Sequence, residues 1–178
     1  MLLNPEAAQR FITTYQLVAF SVHQLLKLTP AQQVTRILFT AREQLQANPA
    51  LLDQAVAHGL KQGFSLDSQA LDALGQMRLD RWIYLKELKS GSILLDRQGQ
   101  EAYSVVGLTE PVAQITGQTG WLLNTALCPF QGKIICDGIM APIAQLGPSL
   151  KRDYHQLYLK LKAQGRLHRE PQTSPLWN

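Results

Sequence analysis

The run from Trp121 to Ala141, WLLNTALCPFQGKIICDGIMA, constrains the fold more than any other stretch. Two apolar, β-rich segments flank Pro129-Phe130-Gln131-Gly132, residues that favour a tight turn, so the run predicts a long hairpin. Leu122, Leu123, Leu127, Ile134, Ile135 and Ile139 occupy both alternation phases. A strand that is apolar on both sides must be covered on both sides, which makes this pair central in its sheet. Gly132 suits the positive φ of a tight turn, and Pro129 tolerates its missing N–H at a strand end. Asp137-Gly138 then admits two readings. One is an acidic ligand at a strand terminus; the other is a bend in which Asp accepts from a nearby backbone N–H.

Four helices are expected before this hairpin. Asn4 caps a first helix with Pro5 at its first position, and Phe11, Tyr15, Val18, Val22 and Leu25 recur at helical spacing. Thr29-Pro30 with Gln32 reads as a capping box leading to Val34, Ile37, Leu38, Ala41 and Leu45. Asn48-Pro49 starts a third helix carrying Leu51, Leu52, Ala55, Val56 and Leu60, and a short fourth runs from about Asp67 to Met77 with Leu71 and Leu74 inward. From Arg81 the period changes to that of strands: Trp82 to Leu88, Ser92 to Asp96 and Ala102 to Leu108, separated by Ser90-Gly91 and Arg97-Gln98-Gly99-Gln100. After the hairpin, Gly147-Pro148 opens a last amphipathic helix with Leu150, Tyr154, Leu157 and Leu161 inward, ending at Gly165.

The sum is an α+β chain: about four N-terminal helices, a small antiparallel sheet or partly closed barrel, and a C-terminal amphipathic helix. Residues 1–79 form the helical region, 80–165 the β unit with its closing helix, and 166–178 a polar, mobile tail; the first two are compatible with one compact domain.

Cys128 and Cys136 are the only thiols among the 178 residues. A two-residue turn puts them on opposite faces of the hairpin, beyond the reach of a disulfide. No apolar run is long enough to span a bilayer, and no basic stretch precedes an apolar leader core, so the reading is cytoplasmic, with no membrane partner. His23, His58, His155 and His168 are scattered, without metal-ligand spacing, so neither a metal nor a cofactor is expected. No Gly-x-Ser-x-Gly elbow is present. Gly117-Gln118-Thr119-Gly120 leads into a strand and reads as a loop, not a phosphate cradle.

The formal net charge of +4 is concentrated. Between Leu150 and Glu170, Lys151, Arg152, Lys160, Lys162, Arg166 and Arg169 stand against Asp153 and Glu170, so this segment carries the whole excess. With the helix's apolar stripe inward, its cations are left outside. The leading reading is a non-enzymatic binding or adaptor module with a protein partner, its candidate surface comprising Lys151, Arg152, Lys162, Arg166, Arg169 and the Asp137 corner. A first alternative is RNA or DNA binding, with the basic helix tracking phosphates and Trp82, Tyr84 and Tyr103 stacking bases. A second is an enzyme whose site gathers Asp137 and His23, with Asp96 or Tyr103. Oligomeric state has no signature in the sequence.

The order of motifs resembles a family of uncharacterised bacterial proteins. The resemblance runs from Glu6 to Gly165 through Phe11 with Val22, Leu88-Lys89 to Leu95-Asp96, and Ala102-Tyr103-x-Val105-x-Gly107-Leu108. Its most specific part is Pro129-Phe130-x-Gly132-x-Ile134-Ile135-x-Asp137-Gly138. It implies a bacterial, intracellular protein and no assigned reaction. This chain has His23 where the pattern has Asn, and Cys128 and Cys136 where it has Leu and an aromatic.

Overall fold

A computed structural model describes residues 1–28 and 33–177. Four helices come first: α1 (Pro5–Leu25), α2 (Val34–Ala47), α3 (Leu51–Lys61) and α4 (Ser68–Gly75). The strands β1 (Arg78–Leu88), β2 (Gly91–Leu95) and β3 (Ala102–Val106) follow, then a single turn of helix, α5 (Val112–Thr116). The chain continues through β4 (Trp121–Phe130), β5 (Lys133–Cys136), β6 (Ala141–Gln145), α6 (Pro148–Ala163) and the two-residue β7 (Leu167–His168).

The Asn4 side chain accepts from the backbone N–H groups of Glu6 and Ala7 and starts α1; Asp67 does the same for α4 through Ala70. The capping box read at Thr29-Pro30 and Gln32 lies outside the described residues. Phe11, Tyr15, Val18 and Val22 are buried along α1, as their spacing requires. The apolar stripes end earlier than the sequence implied. Leu25, Val34, Leu60 and Leu150, all assigned inward, are exposed at or near helix ends, while Tyr158 is buried on α6.

The sheet is mixed, not wholly antiparallel. Its order is β1-β2-β3-β5-β4-β6, β1 also pairs with β4, and β7 adds to β3. The β1–β4 ladder from Arg78↔Leu127 to Tyr84↔Trp121 closes five strands into a barrel. Two pairings are parallel, β3 with β5 and β3 with β7. β1 serves two neighbours because it is long, and it changes partner near Tyr84, where a bulge increases its bend.

The β4–β5 hairpin is central, as its double apolar phase demands. Leu123, Leu127, Ile134 and Cys136 point into the barrel with Trp82, Tyr84, Tyr103 and Val105. Ala126, Cys128, Phe130 and Ile135 point the other way, under α1 and its neighbouring helices. Phe130 meets Phe11 at 5.4 Å between ring centroids. Each large side chain fully buried here contributes about 1.5–3 kcal/mol. The pairs Phe130↔Lys133 and Leu127↔Cys136 leave a two-residue turn in which Gln131 and Gly132 have φ of 50° and 67°, the left-handed pair that matches strand twist. The cysteines therefore sit on opposite faces, both buried and free.

α6 lies across the outer side of β1, β2 and β3, where Tyr158 and Leu161 pack on Ile83, Leu85, Ile93 and Leu95. The tail read as mobile is docked. Arg166 and His168 both bind Glu101, and the Trp177 ring nitrogen donates to the Gln76 carbonyl at 2.7 Å. Leu176 and Trp177 pack against the inner barrel cluster.

Candidate functional site

Two groups of charged side chains stand out, one inside the protein and one on its surface. The buried group is centred on Asp137. Its Oδ1 accepts from the Ile139 N–H at 3.1 Å, which is the local bend that the Asp-Gly pair predicts, and from the Thr125 hydroxyl at 3.1 Å. Its Oδ2 accepts from Tyr15 at 3.3 Å and from Arg42 Nη1 at 3.1 Å. The same Arg42 nitrogen donates to the Ile139 carbonyl at 2.7 Å. Side chains from α1, α2 and β4 thus meet where β5 ends.

Both ionic partners are fully buried. Burial pushes the Asp137 carboxyl up, against the pull of the Arg42 charge, the Ile139 N–H and the Arg42 and Thr125 hydrogen bonds, and the balance leaves it above its ordinary value. Arg42 Nε and Nη2 find no acceptor among the described residues. The guanidinium lies 4.4 Å from the Phe39 ring centroid, a favourable contact for a desolvated cation. Burial, then the Asp137 charge, pushes the Cys128 thiol well up, and the same two causes push Cys136 up to about 12, so neither is a nucleophile at neutral pH. Asp137 is consequently no part of a surface.

The second group lines an open groove between β1 and the first half of α6, about 710 Å³ in volume, with Lys86, Thr119, Lys151, Arg152 and His155 on its walls. Lys151 donates to the Thr119 carbonyl at 3.3 Å. Lys86 lies over the Tyr158 ring, 4.1 Å from its centroid. Burial, then the charge of Lys162, holds the Lys86 ammonium below its ordinary value. Among the described residues, Lys86, Lys151, Arg152 and Lys162 form no ion pair with a carboxylate.

Of the residues assigned to the surface from sequence, Lys151 and Arg152 line this groove and Lys162 acts on Lys86 from the same helix. Arg166 is engaged instead, donating to Glu101 at 2.6 and 2.9 Å, and Arg169 is exposed beyond β7. The residues of the enzyme reading do not converge. The His23 ring meets the Ile37 carbonyl at 3.1 Å. Asp96 accepts from the N–H groups of Gln100 and Glu101 in a turn. Tyr103 is inside the barrel, edge-on to Trp82 at 5.4 Å. No hydrogen bond or ion pair between any two of Asp137, His23, Asp96 and Tyr103 occurs in the described residues. No group of three or more His, Cys, Asp or Glu there is arranged to hold a metal ion.

Sequence reasoning missed Arg42, Tyr15 and Lys86. Arg42 had a signal: it stands four residues after Leu38 and three before Leu45, on the apolar stripe of α2. Lys86 had none, because its direction depends on a bulge.

These features define an α+β protein in which helices flank a small closed barrel, with one fully buried ion pair, Arg42–Asp137, and one open cationic groove. No protein-family model, no curated protein and no solved structure matches the chain. No helix is long and apolar enough to cross a membrane, among the described residues.

Proposed function

We propose that this protein is a non-enzymatic binding module that captures a protein partner through the groove between β1 and α6. The observation that carries the reading is the set of cations there without carboxylate partners. An unpaired cluster of like charges is a cost to the folded chain, which an acidic partner relieves on binding. Replacing Lys151, Arg152 and Lys162 together with alanine should leave the folded state intact and abolish partner capture from native extract. Capture unchanged from wild type would remove the groove from the function.

Nucleic-acid binding is the second reading, favoured by the barrel itself. Five-stranded Greek-key barrels of the oligonucleotide-binding type use the outer face of their second and third strands, a warrant from fold analogy alone. Here that face is under α6, and Trp82, Tyr84 and Tyr103 are inside the barrel, away from any stacking role. What is left for this reading is phosphate contact, whose signature is affinity falling steeply with salt. The resemblance of the Pro129 to Gly138 signature and the two free thiols support a bacterial, cytoplasmic setting.

A further inference from the structure

Lys86 reaches the groove only because β1 is irregular. Ile83 pairs with Leu95 on the side under α6, and Tyr84 pairs with Leu94 inside the barrel. Regular alternation would put Leu85 outside and Lys86 inside. The register shifts between Tyr84 and Lys86, so that Lys86 pairs with Ile93 and joins Leu85 on the outer side. Glu87 then turns inward, where its Oε2 accepts from Tyr84 at 3.0 Å and from Ser92 at 2.7 Å. Bulges re-aim side chains, and this one moves a cation from the barrel interior to the outer side of β1, across the groove from Lys151 and Arg152 on α6.

The spacing of the cations indicates the shape of what would neutralise them. Lys151, His155 and Lys162 share the flank of α6 nearest Lys86, since His155 lies beside Lys86 in the groove and its ring is 6.3 Å from that of Tyr158. At about 1.5 Å per residue these positions extend over roughly 16 Å. A single phosphate would meet only part of that row, whereas about five residues of extended peptide cover it. Tyr158 is only 2% exposed and lies under Lys86, so among the described residues lining the groove the His155 imidazole is the one exposed ring on which a base could stack.

We propose that the groove between β1 and α6 binds an extended acidic peptide segment whose carboxylates meet Lys86, Lys151, Arg152 and Lys162, with Lys86 set in place by the bulge at Leu85. This rests on the reading of the groove as the partner surface and adds its ligand class and one further residue.

The test is fluorescence anisotropy with labelled hexaglutamate and, separately, labelled hexathymidylate. The proteins compared are wild type, Lys86→Gln, Lys86→Arg and the Lys151→Ala/Arg152→Ala pair. Hexaglutamate should bind wild type more tightly than hexathymidylate does. Lys86→Gln should weaken that binding by about fivefold, the worth of one partly exposed charge pair, and Lys86→Arg should restore most of it. Tighter binding of hexathymidylate would overturn the peptide assignment. Equal affinity of wild type and Lys86→Gln, with the Lys151/Arg152 variant weakened, would overturn the role of Lys86 while leaving the groove as the surface. Absence of hexaglutamate binding, with partner capture still dependent on Lys151 and Arg152, would overturn the ligand class alone.

Discussion

The Asp137 corner and the α6 groove are both built from charged side chains, and they are opposites. At the corner one carboxylate meets a guanidinium, a phenol, a hydroxyl and a backbone N–H, all out of water. At the groove Lys86 on β1 stands across from Lys151 and Arg152 on α6, with Lys162 farther along the helix, and none of the four meets a carboxylate among the described residues. The first arrangement fixes helices on a barrel; the second leaves charge for something else to meet. Placement, not charge itself, separates the residues that hold the molecule together from those open to a partner. Asp137, which the sequence offered as a surface ligand, belongs to the first kind.

The contrast is sharpest in stability. Removing one member of a buried pair strands the other, at a cost of about 3–5 kcal/mol. Arg42→Met and Asp137→Asn should each lose that much in urea unfolding, and the double variant should lose clearly less than the two added together. Single losses below about 1 kcal/mol would deny the corner its structural role. The same loosening should expose Cys128, so thiol labelling of native Arg42→Met should reach Cys128 before Cys136.

Glu101 is an intermediate case. Partial burial pushes its carboxyl up, but the hydrogen bonds and charges of Arg166 and His168 outweigh this and hold it below the ordinary glutamate range. The unfolded chain therefore binds more protons in the window just below the ordinary value, and the stability this group contributes is lost as pH falls through its folded value. Urea midpoints followed downward from about pH 5 should fall, and Glu101→Gln should flatten that part of the fall. An unchanged profile would mean that the tail is held mainly by Trp177 and the apolar contacts. The smallest effect is expected in the groove: alanine at Lys151 and Arg152 should move the unfolding free energy by no more than about 0.5 kcal/mol. A larger loss would place these cations among the structural charges and erase the contrast.

The local features were the legible ones. Apolar residues in both phases of the hairpin forced it to the centre, and the parity of a two-residue turn separated the cysteines. β6 was missed because Ala141-Pro142-Ile143-Ala144-Gln145 is exposed and does not alternate, and β7 because two residues carry no period. The parallel pairing of β3 with β5 leaves no local mark at all. Of the two charge clusters, the basic helix was visible as composition. The corner was half visible: the bend at Asp137 follows from its neighbours, but its partners stand 95 and 122 residues away. Arg42 on an apolar stripe was the one clue that such a partner existed.

Those separations also set an order of events. The four helices come first along the chain, yet Tyr15 and Arg42 have nothing to grip until the strand ending in Asp137 exists and has closed on the rest of the barrel. Contacts between distant segments are slow to form, because the entropy of bringing them together is lost before they repay it. The helical region should therefore gather early as a loose, reversible assembly and become rigid only in a late step shared with the barrel. In stopped-flow refolding, helical circular dichroism should recover well ahead of thiol protection at Cys128, with Arg42→Met slowing the second phase and sparing the first.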